Sequence, residues 1–162
     1  MLIEKQRFRQ IWLWVILISI NAFMLYGFVQ QIIFKIPFGD NPGPDILLIF
    51  FCLMMLGLSY LFLNVIVLKT YIDNEKIVVK FPPLVAEEVI LIKEIAEAKI
   101  VKYKPLKEYG GWGFRSGKKG MAYNISGNLG LSITYKSGKH LLIGIQKPEK
   151  YSKFPFIANS LL

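Results

Sequence analysis

The sequence predicts a membrane-spanning α-helical hairpin joined to a small α+β domain. Three observations carry this expectation. Of 162 residues, 54% are hydrophobic and the mean hydropathy is +0.44, whereas a soluble domain has about 45–50% apolar residues. The excess lies in two blocks before residue 69. From Lys69 onward, short runs of alternating apolar and polar residues lie between turn signals, the pattern of a β-rich domain. The expected division is a cytoplasmic N-terminal segment (1–10), a first span (11–34), an extracytoplasmic loop (35–45), a second span (46–68) and a cytoplasmic domain (69–162).

The first block carries no charge before Lys35, and the second carries none at all. Each reaches the roughly 20 residues that an α-helix needs to cross a hydrocarbon core. Backbone polar groups inside a bilayer must pair within the segment, so both blocks are expected to be helical. A cleaved signal peptide is the alternative for the first block. Its apolar stretch is too long for one, and Asn21-Ala22-Phe23 is a poor small-residue cleavage site.

Charge sets the expected orientation. Lys5, Arg7 and Arg9 precede the first span, and Lys69, Lys76 and Lys80 follow the second. The intervening loop holds Lys35 against Asp40 and Asp45. Lysine and arginine are retained on the cytoplasmic side, so both termini are expected there. Trp12 and Trp14 stand where an interfacial aromatic belt would lie. The prolines and glycines of 36–44 suit a turn between antiparallel helices.

Few polar residues interrupt the spans: Ser19, Asn21, Ser59 and Asn64. Asn21 and Ser59 fall at similar depth in an antiparallel hairpin. An interhelical hydrogen bond between them is expected, worth about 0.6 kcal/mol. With no charge inside either span, an ion pathway is the weaker reading. The single cysteine, Cys52, also lies in the second span. It is expected to behave as a small apolar residue, and the absence of cysteine elsewhere fits a reducing compartment.

The domain from Lys69 holds 16 lysines and arginines against 8 acidic residues, so it carries most of the chain's net charge of +9. A basic domain held at the inner leaflet is attracted to anionic lipid, by about 1 kcal/mol per basic residue close to the surface. The competing reading is that these charges serve solubility and topology only. About seven antiparallel strands are expected, over 68–72, 77–81, 85–92, 95–103, 121–126, 131–135 and 141–145. Asp73-Asn74-Glu75 and Pro82-Pro83 punctuate the first three, and Gly127-Asn128 and 136–139 read as hairpin turns. In the tail, Pro148 and Glu149 suit the start of a helix. Tyr151, Phe154, Ala158 and Leu161 recur at helical spacing, with Pro155 kinking or dividing the helix.

Three phrases sharpen this outline: Tyr109-Gly110-Gly111-Trp112-Gly113-Phe114-Arg115, the stretch 120–130, and Leu142-Ile143-Gly144-Ile145-Gln146-Lys147-Pro148-Glu149. With the two N-terminal spans, they resemble the pattern of bacterial PH-domain-like membrane proteins over essentially the whole chain. The resemblance implies a PH-like domain of about seven antiparallel strands closed by a C-terminal helix. It implies fold more than function. Phosphoinositide binding is not carried over, because the loop Asp73-Asn74-Glu75-Lys76 is short and largely acidic.

No catalytic set assembles from the sequence, and the chain is expected to be neither an enzyme nor a holder of cofactors. His140 stands alone beside a turn, and metal sites draw several ligands together. Cys52 sits in a span, away from His140, which excludes a Cys–His nucleophile pair. Gly117-Lys118-Lys119 fails the phosphate-loop pattern, with Trp112 where a glycine is needed and Lys119 where Ser or Thr is needed. A carboxylate site would have to come from Glu87, Glu88, Glu94 or Glu97, which read as solvated strand residues.

The segment 104–120 stands out for binding. It mixes glycines with Tyr109, Trp112, Phe114, Arg115, Lys118 and Lys119. Glycine permits close backbone approach, and aromatic and arginine side chains are common interface anchors. The competing reading is that Trp112 and Phe114 tuck under the sheet. The expectation is a non-enzymatic, membrane-anchored interaction module whose 104–120 segment contacts a protein partner or anionic headgroups. The alternative is an accessory or assembly subunit of a transporter or envelope complex, bound mainly through its spans. Homo-oligomerisation stays open, and nucleic acid is not an expected partner.

Overall fold

A computed structural model of the chain describes residues 1–117 and 119–159. These form two compact units. One joins Met1–Phe8 to the chain from Ile66 onward, and the other is Arg9–Val65.

The second unit is a helical hairpin. Helix α1 (Ile11–Phe28) continues through a wider π-helical turn to Ile33, and α2 (Asp45–Tyr60) continues likewise to Val65. Both helices are long and apolar enough to cross a membrane, by length and composition. The turn between them is built by a few specific contacts. Gln31 is buried and donates through Nε2 to the Gly43 carbonyl (2.9 Å) and to Asp45 Oδ1 (2.8 Å). The Phe38 ring folds back onto Gly27, where a Cβ would meet it at 2.8 Å. There it packs edge-on against Phe23 and Tyr26, with ring centroids 5.3 and 6.0 Å apart. Any larger residue at position 27 would displace that ring.

The first unit is β-rich, with ten strands and two sheets among the described residues. Sheet A is fully antiparallel, in the order β1 (Leu2–Arg7), β2 (Val67–Ile72), β3 (Lys76–Phe81), β4 (Val85–Leu91). Sheet B runs β10 (Ile157–Asn159), β5 (Ile95–Lys102), β8 (Leu129–Tyr135), β9 (His140–Gly144), β7 (Gly120–Asn124), β6 (Gly113–Gly117). Its β10–β5 and β7–β9 pairs are parallel. Two one-turn helices, α3 (Pro105–Tyr109) and α4 (Pro148–Tyr151), complete the unit.

Pleating sorts the side chains. The inner face of sheet A holds Leu68, Ile72, Ile77, Val79, Phe81 and Ile90, each at most 1% exposed. Sheet B contributes Ala98, Ile100, Leu131, Ile133, Tyr123 and Ile143. Hydrogen bonds join the sheets, among them Gln6 Nε2 to the Gly144 carbonyl (2.6 Å) and Tyr123 Oη to Glu88.

Several sequence expectations change here. Residues 1–10 are not a separate segment, because β1 pairs with β2 over the full register from Leu2↔Ile72 to Arg7↔Val67. The hairpin is therefore an insertion between two paired strands. The second span ends at Val65, and Val67 and Leu68 are buried strand residues. The strand count is ten among the described residues, not about seven, with β1, β6 and β10 unforeseen, and the sheets are not wholly antiparallel, because β7–β9 and β10–β5 pair in parallel. Gly127-Asn128 is no hairpin turn, since β9 lies between β7 and β8, whereas 136–139 does connect an antiparallel pair. The tail helix stops at Tyr151. Pro155 cannot continue the hydrogen-bond ladder, and the chain instead pairs Ile157–Asn159 with β5. Leu161 lies outside the described residues.

Candidate binding surface

The segment 104–120 is mostly ordered secondary structure: α3, a glycine turn, and β6, the terminal strand of sheet B. Pro105 opens α3 at a position where its missing N–H costs nothing. Gly110 ends the helix in the left-handed conformation, φ 72°. Gly111 (φ 128°) and Gly113 (φ 116°) also adopt positive φ, which only glycine takes without strain.

The predicted site residues divide between support and surface. Tyr109 is buried, its ring edge-on to Tyr103 at 5.9 Å, in a small cluster with Ala122 and Leu142. Burial raises the Tyr109 hydroxyl pKa and pushes Tyr103 up to about 12. Trp112 is half-buried, and its indole N–H donates to the Gly127 carbonyl (3.1 Å). Lys119 Nζ donates to Glu108 Oε2 at 2.8 Å, while Glu108 Oε1 accepts from the Lys104 N–H at 2.9 Å. Lys119 and that N–H together hold the Glu108 carboxyl below its ordinary range, and Glu108 raises Lys119. Tyr109, Trp112 and Lys119 thus build the segment.

Phe114 and Arg115 face outward. Phe114 is 42% exposed and stacks on Tyr123, with centroids 5.4 Å apart. Arg115 is exposed, and its Nε donates to the Trp112 carbonyl at 3.1 Å, which draws the guanidinium over the glycine turn. Lys118 lies outside the described residues. The structure thus brings Trp112, Arg115 and the glycine turn together and sets Phe114 on the opposite face of β6.

The helical unit holds the other predicted pair. Asn21 Nδ2 donates to Ser59 Oγ at 2.8 Å and to the Leu17 carbonyl at 2.7 Å, and Ser59 returns its hydroxyl to the Met55 carbonyl. They line an apolar groove of about 560 Å³ between the helices, together with Cys52 and Leu56.

Sequence reasoning missed the buried polar groups of the β unit. Glu4 and Glu88 lie on one cross-strand row of sheet A, in register with Thr70 and Val79. Glu4 is 6% exposed, and its Oε1 accepts from Gln6 Nε2 (3.0 Å) and the Gln146 N–H (2.8 Å). Burial of Tyr151, and after it the neighbouring Glu4, raise the Tyr151 hydroxyl pKa. Glu88 accepts from Tyr123 and borders a cleft of about 710 Å³ with Glu94, Lys119, Tyr135, Lys139 and His140. Burial, Glu88 and Glu94 push Tyr135 up to about 12. Inward placement of Glu4 is legible only once β1 is known to be a strand.

No family model matches the chain, and no curated protein is significantly similar to it.

Proposed function

We infer that the chain is a non-enzymatic membrane-anchored interaction module that presents its β unit to a protein partner. The observation that carries this is the pairing of β1 with β2 on either side of the helical insertion. Both ends of the insertion belong to one folded unit, so both emerge on the same side of any bilayer that the helices cross. The connections are short, residues 8–10 at one end and residue 66 at the other. A domain tied this way has little freedom to leave the membrane surface. The flanking lysines and arginines favour the cytoplasmic face of a bacterial inner membrane. The domain's basic surplus favours anionic headgroups there. The paired sheets and the quoted phrases support a PH-like domain of the bacterial two-span kind.

The surface that best fits a partner is the outer part of 104–120, with Arg115 exposed beside Trp112 and Phe114 exposed on the other face of β6. The second reading, an accessory subunit bound through its spans, draws support from the inter-helix groove around Asn21 and Ser59. In-cell crosslinking with a photoreactive residue at position 114, and separately at position 53 of α2, distinguishes the two. A discrete protein adduct from position 114 is expected. Adducts from position 53 alone would transfer the function to the spans.

A further inference from the structure

We propose that β6 is a docking edge for the C-terminus of an extended partner peptide, added antiparallel to β6 with its free carboxylate held by Arg115 and the Trp112 N–H. This rests on the interaction-module reading and names the partner's chemistry. β6 ends sheet B and pairs with β7 on one side only. In an antiparallel pair, alternate residues turn their backbone groups toward and away from the neighbour. The Gly113 N–H points inward, to Asn124 Oδ1 (2.8 Å), so Phe114 and Ser116 present theirs outward. Those groups are what strand addition uses.

The direction follows from what lies at each end. A strand antiparallel to β6 runs from Gly117 toward Gly113. Past Gly113 there is no more edge, because the chain turns at 110–112 into α3. A peptide that ends there needs no room to continue, and its carboxylate arrives at the glycine turn. Gly110 is exposed and would have nothing within 4 Å of an added Cβ, so the turn is open to close approach there, while Gly111 is buried, with Arg115 Nη2 at 3.9 Å from its own added Cβ. The Gly110 and Gly111 N–H groups are taken by the Leu106 and Pro105 carbonyls (3.1 and 3.0 Å). That leaves the Trp112 N–H as the turn's donor among the described residues. Among the described residues Arg115 is held through Nε alone, which leaves its Nη groups for a carboxylate. Charge complementarity therefore selects a carboxylate, and the edge selects an extended backbone. Phe114 supplies an apolar contact for one face of that strand.

The test uses the full chain in detergent micelles and a random heptapeptide library displayed with free C-termini. Selected peptides are expected to bind, and C-terminal amidation should weaken them roughly tenfold or more, as loss of a charge-assisted contact does. Arg115→Lys keeps the charge but loses the fork, and should weaken binding several-fold without changing the thermal midpoint. Ser116→Pro removes an outward N–H and should abolish binding in protein that still unfolds cooperatively. Equal binding of amidated peptides overturns the proposal, including the case where an internal acidic side chain is the requirement. So does indifference to Arg115→Lys, or a library with no peptide enriched over the Arg115→Ala chain. The interaction-module reading is judged separately, by the adduct at position 114. An adduct with no dependence on a free carboxylate would leave that reading standing and remove this one.

Discussion

The helical unit and the β unit solve the same problem with opposite means. In the hairpin, most large apolar side chains face outward, among them Phe50, Leu53 and Leu56. The helices satisfy their own backbones, and at depth they are linked by Asn21 Nδ2 donating to Ser59 Oγ and by the Cys52 thiol donating to the Met24 carbonyl at 3.5 Å. In the β unit the backbone pairs across distant segments, and twelve large side chains are less than 2% exposed. A hairpin of the first kind suits a lipid environment by its length and outward apolar faces, whereas the second carries its own dry core. Stability should therefore be concentrated in the β unit, with the hairpin tolerant of substitution.

Truncation at the centre of each region gives the largest contrast. Phe81→Ala, at 0% exposure, should cost about 3–5 kcal/mol in unfolding of the full chain in micelles. Leu53→Ala, at 64% exposure, should change the same transition by less than about 0.5 kcal/mol. Equal costs would erase the distinction.

The polar contacts come next. Glu4→Ala leaves the Gln146 N–H and the Gln6 amide without their shared acceptor, inside a buried region. A loss of about 1–3 kcal/mol is expected in the same unfolding measurement. Asn21→Ala should cost only about 0.6 kcal/mol, because separated helices find other partners in a membrane. A double-mutant cycle with Ser59→Ala, read by reversible unfolding in micelles, should show the two losses to be non-additive.

The smallest effect is on the surface. The Glu108 carboxyl is held below its ordinary value by Lys119 and the Lys104 N–H. Its contribution is thus complete above the ordinary carboxylate range and is lost as pH falls through the depressed folded value. The Lys104 amide resonance should report that titration by NMR. Glu108→Gln should remove it, and added salt should weaken the Lys119 pair.

The same contrast explains what was legible in the sequence. Span lengths come from composition, and the helices run to within a few residues of the predicted ends because a run of apolar residues needs no partner to be helical. Strands β2 to β5 follow from alternation bounded by Asp73-Asn74-Glu75 and Pro82-Pro83. β1 does not, because its inward face is Leu2, Glu4 and Gln6 while Ile3 faces out. Its partner strand also lies beyond the whole hairpin. β6 carries glycine at both ends and a central Phe114-Arg115-Ser116, so alternation is masked. The tail shows the reverse error, with helical spacing overridden by Pro155 and by the parallel edge that β5 offers. Within the candidate site, residue types pointed to the segment. Which side chains build it and which remain outward depended on Glu108, Gly127 and Asn124, contacts that spacing does not encode.

The central claim is that both ends of the hairpin, and the β unit with them, lie on the cytoplasmic side of a membrane crossed twice. The most direct test is cysteine labelling in intact cells, in a Cys52→Ser background, with a membrane-impermeant thiol reagent. Asn41→Cys, in the inter-helix loop, should label in intact cells. Glu149→Cys and Lys5→Cys should label only after permeabilisation. Labelling of position 149 or position 5 in intact cells, or protection of position 41 until lysis, would contradict the account.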